Sequence, residues 1–324
     1  MHAAVLHTVG TAPRYEEFPE PVTSDKDREA IVHVHAASLK PIDKQLASGS
    51  HYASRRELPC VCGSDGVGHL DDGQRVFFGG PRLPHGAMAE RTVVPRALTF
   101  PVPANVSDET AAALPNPGVS AWLSLAYRAK LVEGENVLIL GATGVTGKLA
   151  VKIAKLLGAA RVVAAGRNQQ ALGTLHGLGA DATISLALPE TELREAFLRE
   201  AGQSGFQVVI DYVWGRPTEL SLAAITRREF AVIQSETRFV QVGESAASTI
   251  TLPAAVLRST ALTILGTAGI PPGNVLFEAF EQVMAHAAKG ELYIDTERVP
   301  LADIENAWQR DQSGRRLVII TRPD

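Results

Sequence analysis

From residue 137 to residue 266 the apolar positions fall into two alternating kinds of stretch. Short continuous runs read as strands: Val137–Leu140, Arg161–Ala165, Ala182–Ile184, Phe206–Asp211, Phe239–Gly243 and Leu262–Gly266. Between them lie stretches with apolar residues every three or four places, which read as helices: Gly147–Leu157, Gln169–Leu178 (ended by Gly179) and Glu190–Glu200. Leu149, Ile153, Leu156 and Leu157 supply the apolar positions expected on the first of these helices. Runs without polar interruption suit strands buried on both faces of a parallel sheet. The alternation predicts a doubly wound α/β fold with right-handed crossovers.

The chain before this region has a different rhythm. Ala30–Ala36 alternates with period two, placing His33 and His35 on one face, expected to meet solvent. Further short strands are predicted at Arg75–Phe78, Ala87–Val94 and Leu98–Val102, separated by Gly- and Pro-containing turns. Asp108–Leu114 opens a helix with Ser107 as its N-cap. After about residue 257 the sequence gives helices at Asn274–Lys289 and Leu301–Gln309 and a final strand at Arg315–Ile320. The expected organisation is a β-rich domain made from residues 1–118 and 257–324, with the α/β domain, residues 119–256, inserted between its halves.

Composition narrows the function classes. Lys and Arg number 31 against 35 Asp and Glu, a formal net charge of −4, and the basic residues form no block. That argues against a nucleic-acid partner, which needs a concentrated basic face. No apolar run approaches the roughly 18 residues of a membrane span, so no membrane partner is expected. The stretch Met1–Val5 lacks a basic segment followed by an apolar one, so a cytoplasmic location is expected. Two cysteines, Cys60 and Cys62, are too few for a disulfide framework or a four-thiolate zinc site and read as small buried strand residues.

The candidate chemistry centres on Gly141-Ala142-Thr143-Gly144-Val145-Thr146-Gly147, directly after the strand Val137–Leu140 and at the start of a helix. Glycines at this spacing permit a sharp turn, close backbone approach to a ligand, and tight packing of helix on strand. The helix N-terminus offers unpaired N–H groups and a positive dipole end to a pyrophosphate. A mononucleotide P-loop is a poorer match, because Ala142 and Leu149 stand where that pattern has Gly and Ser/Thr. Arg167 lies 20 residues beyond Gly147 (147 to 167), just past the second strand. An acid there would bind the ribose diol of NAD, whereas arginine accommodates the 2′-phosphate of NADP. Ala165-Gly166-Arg167-Asn168 contains no acid, so NADP(H) is the expected cofactor.

Several short stretches carry a resemblance that runs nearly end to end. They include Ala36–Asp43, Gly49–Tyr52, Leu58–Gly68, Asp72–Val76, Gly86–Glu90, Gly118–Trp122, the glycine loop and Leu178–Asp181. In order and spacing the chain resembles the medium-chain dehydrogenase/reductases, and among them the zinc-independent quinone oxidoreductases. The resemblance implies a Rossmann domain inserted between two halves of a GroES-like catalytic domain. It also implies NADPH-dependent reduction of a quinone or α,β-unsaturated carbonyl.

In the alcohol-dehydrogenase branch of that superfamily three Cys or His side chains hold a catalytic zinc. Lys40, Ser64 and Asn116 stand at the matching positions, so no metal is expected. The quinone reductases carry Asn where this chain has Lys40, and an ammonium there is a candidate for polarising the acceptor, with Tyr52 and Asn116 beside it. Expected cofactor contacts are Gly141, Thr143, Gly144, Val145, Thr146, Gly147 and Arg167. Ser120, Val242, Gly243, Leu265, Gly266 and Thr267 are expected toward the nicotinamide end. The stretch Asp211–Gly215 carries Tyr212 and Trp214 where the family has small residues, and the role of Trp214 is left open. The edge strand 262–266 implies a homodimer. Two other functions remain compatible: a catalytically idle NADPH-binding redox sensor or structural protein, and an aldehyde or double-bond reductase of a small metabolite.

Overall fold

The computed structural model describes residues 1–51, 54, 57–225, 236–267, 269, 271–310 and 315–322. The chain packs as two compact units, Met1–Asn116 with Phe280–Asp324, and Pro117–Ala279.

The first unit begins with β1 (His2–Leu6), β2 (Arg14–Glu17), β3 (Glu29–Ser38), α1 (Pro41–Ser48), β4 (Cys60–Val61) and β5 (Asp65–Leu70). It continues through β6 (Arg75–Gly79), β7 (Arg91–Pro95), β8 (Thr99–Pro101) and α2 (Asp108–Ala113). Strand β3 is its axis: Val32, Val34 and Ala36 face the core while Ile31, His33 and His35 alternate outward. It pairs antiparallel with β5 and β7. The face bearing the histidines is half-buried rather than fully open to solvent as expected: His33 lies 3.0 Å from the exposed Asp71, and His35 is tied to the α2 N-terminus. His35 Nδ1 lies 3.0 Å from Asp108 Oδ2, and His35 Nε2 lies 3.0 Å from His69 Nδ1 on β5. Arg75 Nε donates to Asp108 Oδ1 at 2.9 Å. With His35 and Arg75 beside it, the Asp108 carboxyl is held down at about 2 against the burial that would raise it. Ser107 caps α2 as expected, its hydroxyl accepting the Thr110 N–H at 3.2 Å.

The second unit follows with α3 (Pro115–Trp122), β9 (Asn136–Leu140), α4 (Val145–Leu156), β10 (Arg161–Gly166), α5 (Gln169–Thr174), β11 (Ala182–Ser185) and α6 (Glu190–Ala201). Next come β12 (Val208–Asp211), α7 (Arg216–Ile225), β13 (Thr237–Gln241), α8 (Ala254–Ser259), β14 (Leu262–Gly266) and α9 (Val275–Ala288), the last running past the unit's end. The six strands form one parallel sheet in the order β11-β10-β9-β12-β13-β14. Counted from β9 this is 3-2-1-4-5-6, the order of the dinucleotide-binding doubly wound fold. Val137, Leu138, Ile139 and Leu140 are all fully buried, as a strand covered on both faces requires. On α4 the buried face is Leu149, Ala150, Val151, Ile153 and Ala154. Leu156, expected in that face, is exposed at the last position of the helix.

The chain then completes the first unit with β15 (Thr296–Pro300), α10 (Ile304–Gln309) and β16 (Arg316–Ile320). Strand β16 pairs antiparallel with β3 through Val318–Ser38 and Ile319–Ala37. The expected boundary at 256/257 is corrected to 279/280, since β14 belongs to the parallel sheet beside β13. Among the described residues no helix is long and apolar enough to cross a membrane.

Candidate functional site

In an open α/β sheet, ligands bind beyond the carboxyl ends of the strands where the strand order reverses. Here that point lies between β9 and β12, and the glycine loop occupies it.

Each glycine of the loop has its own physical reason. Gly141 turns the chain at φ +86°, and a methyl group there would stand 3.0 Å from the Val213 side chain and 3.1 Å from Tyr212 Cβ. A methyl on Gly147 would stand 2.3 Å from Gly141 O, so only glycine lets α4 seat against the loop. Gly144 is exposed and open: a methyl there would meet only Gly141 O, at 3.5 Å. As N-cap of α4 it supplies no side chain to the first N–H groups of Val145, Thr146 and Gly147. Those are the donors a helix leaves without intrahelical partners, and they carry the positive end of its dipole. A pyrophosphate fits this cradle.

The loop is coupled to the end of β10. Gly166 lies so close to Thr143 that a methyl on it would fall 2.4 Å from Thr143 Cγ2. Arg167 follows, exposed, immediately before Asn168, whose side chain caps α5 by accepting the Ala171 N–H at 3.0 Å. Thr143, Gly144, Val145, Thr146, Gly147 and Arg167 therefore lie around the adjacent ends of β9 and β10.

At the end of β12, Asp211 is fully buried and organises the next turn. Its Oδ1 accepts the N–H groups of Val213 at 2.8 Å and Trp214 at 3.0 Å, and its Oδ2 accepts the Thr218 hydroxyl at 2.6 Å. Burial raises the carboxyl pKa and these three donors act against it. The clamp holds Trp214 at φ +55°, a conformation few non-glycine residues adopt, and the indole packs against the core of the unit. Trp214 thus fills space.

The later strand ends are partly self-satisfied. The Val242 and Gly243 N–H groups both donate to Asp211 O, at 2.8 and 3.1 Å. A methyl on Gly243 would stand 2.8 Å from Tyr212 O, which explains the glycine by close approach. Leu265 is half-buried, Gly266 and Thr267 are exposed, and the Thr267 hydroxyl donates to Gln241 O at 3.4 Å. Ser120 lies on α3, half-buried, its carbonyl accepting the Ser124 hydroxyl at 2.7 Å.

Within the first unit, Lys40 stands in a different setting from the one expected. It is 1% exposed. Its ammonium donates to Asp65 Oδ1 at 2.8 Å and Ser38 O at 3.0 Å, and lies 3.3 Å from Asp43 Oδ2. Burial alone would lower its pKa, but Asp43 and Asp65 outweigh that and the pKa is raised, so the group stays charged. Asp43 also ties the α1 N-terminus, accepting the Lys40 N–H at 2.9 Å, the Ser64 N–H at 3.0 Å and the Ser64 hydroxyl at 2.8 Å. Arg316, buried on β16, donates to Leu39 O at 3.1 Å and completes a set of two cations and two carboxylates. Three acceptors around one ammonium leave it no proton to offer an acceptor molecule. Asn116 is exposed on α3, and Tyr52 lies outside the described residues. The sequence reading missed Asp65 and Arg316; the only signal of each was a charge at the start of a strand.

The donor set at the positions matching a catalytic zinc is an ammonium, a hydroxyl and an amide, which does not suit zinc. Among the described residues no group of three or more His, Cys, Asp or Glu could hold a metal ion. Cys60 and Cys62 are buried, as expected.

Comparison with known proteins adds to this. The family described as zinc-binding dehydrogenase matches residues 145–289. A probable NADPH-dependent quinone reductase of Emericella nidulans is 27% identical over 99% of this chain and 100% of its own length. A 2-methylene-furan-3-one reductase of Solanum lycopersicum is 32% identical over 49% of this chain and 45% of its own. The solved quinone oxidoreductase of Thermus thermophilus, studied also in complex with NADPH, aligns with TM-score 0.77 and 27% identity over 99% of this chain and 100% of that one. With the strand order and glycine loop described above, these matches make the chain similar from end to end to the quinone oxidoreductases of the medium-chain dehydrogenase/reductase kind.

Proposed function

We propose that this protein is an NADPH-dependent oxidoreductase that reduces a quinone or an α,β-unsaturated carbonyl compound without zinc. One observation carries the reading: an uncapped helix N-terminus behind a glycine loop, with Arg167 beside it, at the switch point of a 3-2-1-4-5-6 sheet. Bound NADPH supplies the hydride. The α4 N-terminus holds the pyrophosphate, and Arg167 selects the 2′-phosphate. Ser120, Val242, Gly243, Leu265, Gly266 and Thr267 lie toward the nicotinamide half. The names of the relatives, two quinone reductases and an enone reductase, support the choice of acceptor.

The buried ion set changes the assignment of Lys40. We assign it the task of holding β3, α1 and β5 together through Asp43 and Asp65. Polarisation of the acceptor carbonyl then falls to Tyr52 and Asn116. Strand β14 is the free edge of the parallel sheet, and its half-buried Leu262, Ile264 and Leu265 suit pairing with the same strand of a second copy.

The test is steady-state turnover with NADPH and NADH against a naphthoquinone, an enone and an aldehyde. Oxidation of NADPH in preference to NADH with the first two is expected. Tight NADPH binding without turnover of any acceptor would refute the enzyme and favour an idle binding protein.

A further inference from the structure

We infer that the Tyr212 hydroxyl belongs to the cofactor site and hydrogen-bonds an oxygen of the nicotinamide half of bound NADPH. This rests on the cofactor reading above.

The location follows from the geometry of one unit. With the pyrophosphate at the start of α4 and the 2′-phosphate at Arg167 beyond β10, the other half of the dinucleotide must extend over β12. Tyr212 is the first residue beyond that strand. Its N–H donates to Leu140 O at 3.1 Å, directly before the glycine loop. Its Cβ lies against Gly141 and its carbonyl against Gly243, where added methyl groups would approach to 3.1 and 2.8 Å. Gly141 leaves room for the start of the side chain, and Gly243 leaves room for the Tyr212 backbone.

The side chain itself poses the question. The Tyr212 oxygen is buried and has no hydrogen-bond partner among the described residues. A buried hydroxyl left without a partner costs on the order of 1–3 kcal/mol, which phenylalanine would avoid. Other positions in the core of this unit are filled by Phe197, Phe206 and Phe239. Burial pushes the phenol pKa upward, so the group is a neutral donor at any working pH. The turn that carries Tyr212 is fixed by the three donors on Asp211 and by the packed Trp214.

The test uses the full chain and Tyr212→Phe, with no acceptor present. NADPH and 2′,5′-ADP, which carries only the adenosine half, are titrated by equilibrium binding, and thermal midpoints are measured without nucleotide. The Kd for NADPH should rise about 5- to 10-fold, the worth of one hydrogen bond. The Kd for 2′,5′-ADP should not change, and the midpoint should stay level or rise. An NADPH Kd within twofold of wild type, or a midpoint several degrees lower, would overturn the inference while leaving the cofactor reading in place. Wild-type protein that binds 2′,5′-ADP and NADPH no better than NADH would overturn the cofactor reading, and this inference with it.

Discussion

The ion set around Lys40 and the glycine loop after β9 both concentrate charge or dipole, and they treat it in opposite ways. Around Lys40 two cations meet two carboxylates inside the core, and the ammonium has an acceptor for each proton. At the loop the first N–H groups of α4 have no side-chain cap, and Arg167 stands exposed beside them. A closed electrostatic set holds a fold together. An open one has binding capacity left over.

Lys40 gives the severest test of this contrast. Replacing it with Met leaves Asp43 and Asp65 buried without their ammonium, and a loss of about 3–5 kcal/mol is expected in urea denaturation. The NADPH Kd of the folded protein should change less than twofold. A small stability loss with a large fall in kcat/KM would reverse the assignment and return Lys40 to catalysis.

Gly147→Ala attacks the loop. Its methyl would fall 2.3 Å from Gly141 O, so the helix must shift, at about 1–3 kcal/mol in stability. NADPH binding should weaken by at least roughly tenfold, since the donors move with the helix. Unchanged affinity would mean that the pyrophosphate binds elsewhere.

Asp108 offers a second closed set to probe. Its carboxyl is held at about 2 against an ordinary 3.8, a depression worth about 2 kcal/mol. That stability is complete above the ordinary carboxylate range and is lost as pH falls through about 2. Wild-type stability should therefore decline more steeply on acidification than that of Asp108→Asn. Parallel pH profiles would deny the His35–Asp108–Arg75 contacts their role.

Arg167→Ala probes the open side with the least effect on the fold. The thermal midpoint should stay within about a degree, because exposed substitutions away from packed features are nearly neutral. Affinity for NADPH should fall about tenfold with NADH unaffected, the loss of a charge-assisted contact to one phosphate. Equal losses for both nucleotides would remove Arg167 from 2′-phosphate recognition.

Much of the second unit was legible because its signals are local. Val137–Leu140 announces a doubly covered strand by apolar content alone, and the glycines announce a turn by spacing. Leu262–Gly266 was read with the observed bounds. The first unit was harder. Asp65–Leu70 is interrupted by Gly66, Gly68 and His69, so β5 has neither an apolar run nor clean alternation. Pro41–Ser48 has a mean hydropathy too low to mark α1 as packed, although it closes on Lys40 and Asp43.

Order along the chain was enough to specify the parallel sheet, the glycine loop and the chemistry expected at Arg167. Each depends on residues adjacent in sequence, where backbone sterics and hydrophobic period act directly. The surroundings of Lys40 were decided by folding alone. Asp43, Asp65 and Arg316 come from three separate stretches, and whether an ammonium is a catalyst or a fixture depends on the number of acceptors that folding brings to it. The same holds for Tyr212, whose hydroxyl is notable only because folding buries it with no partner among the described residues.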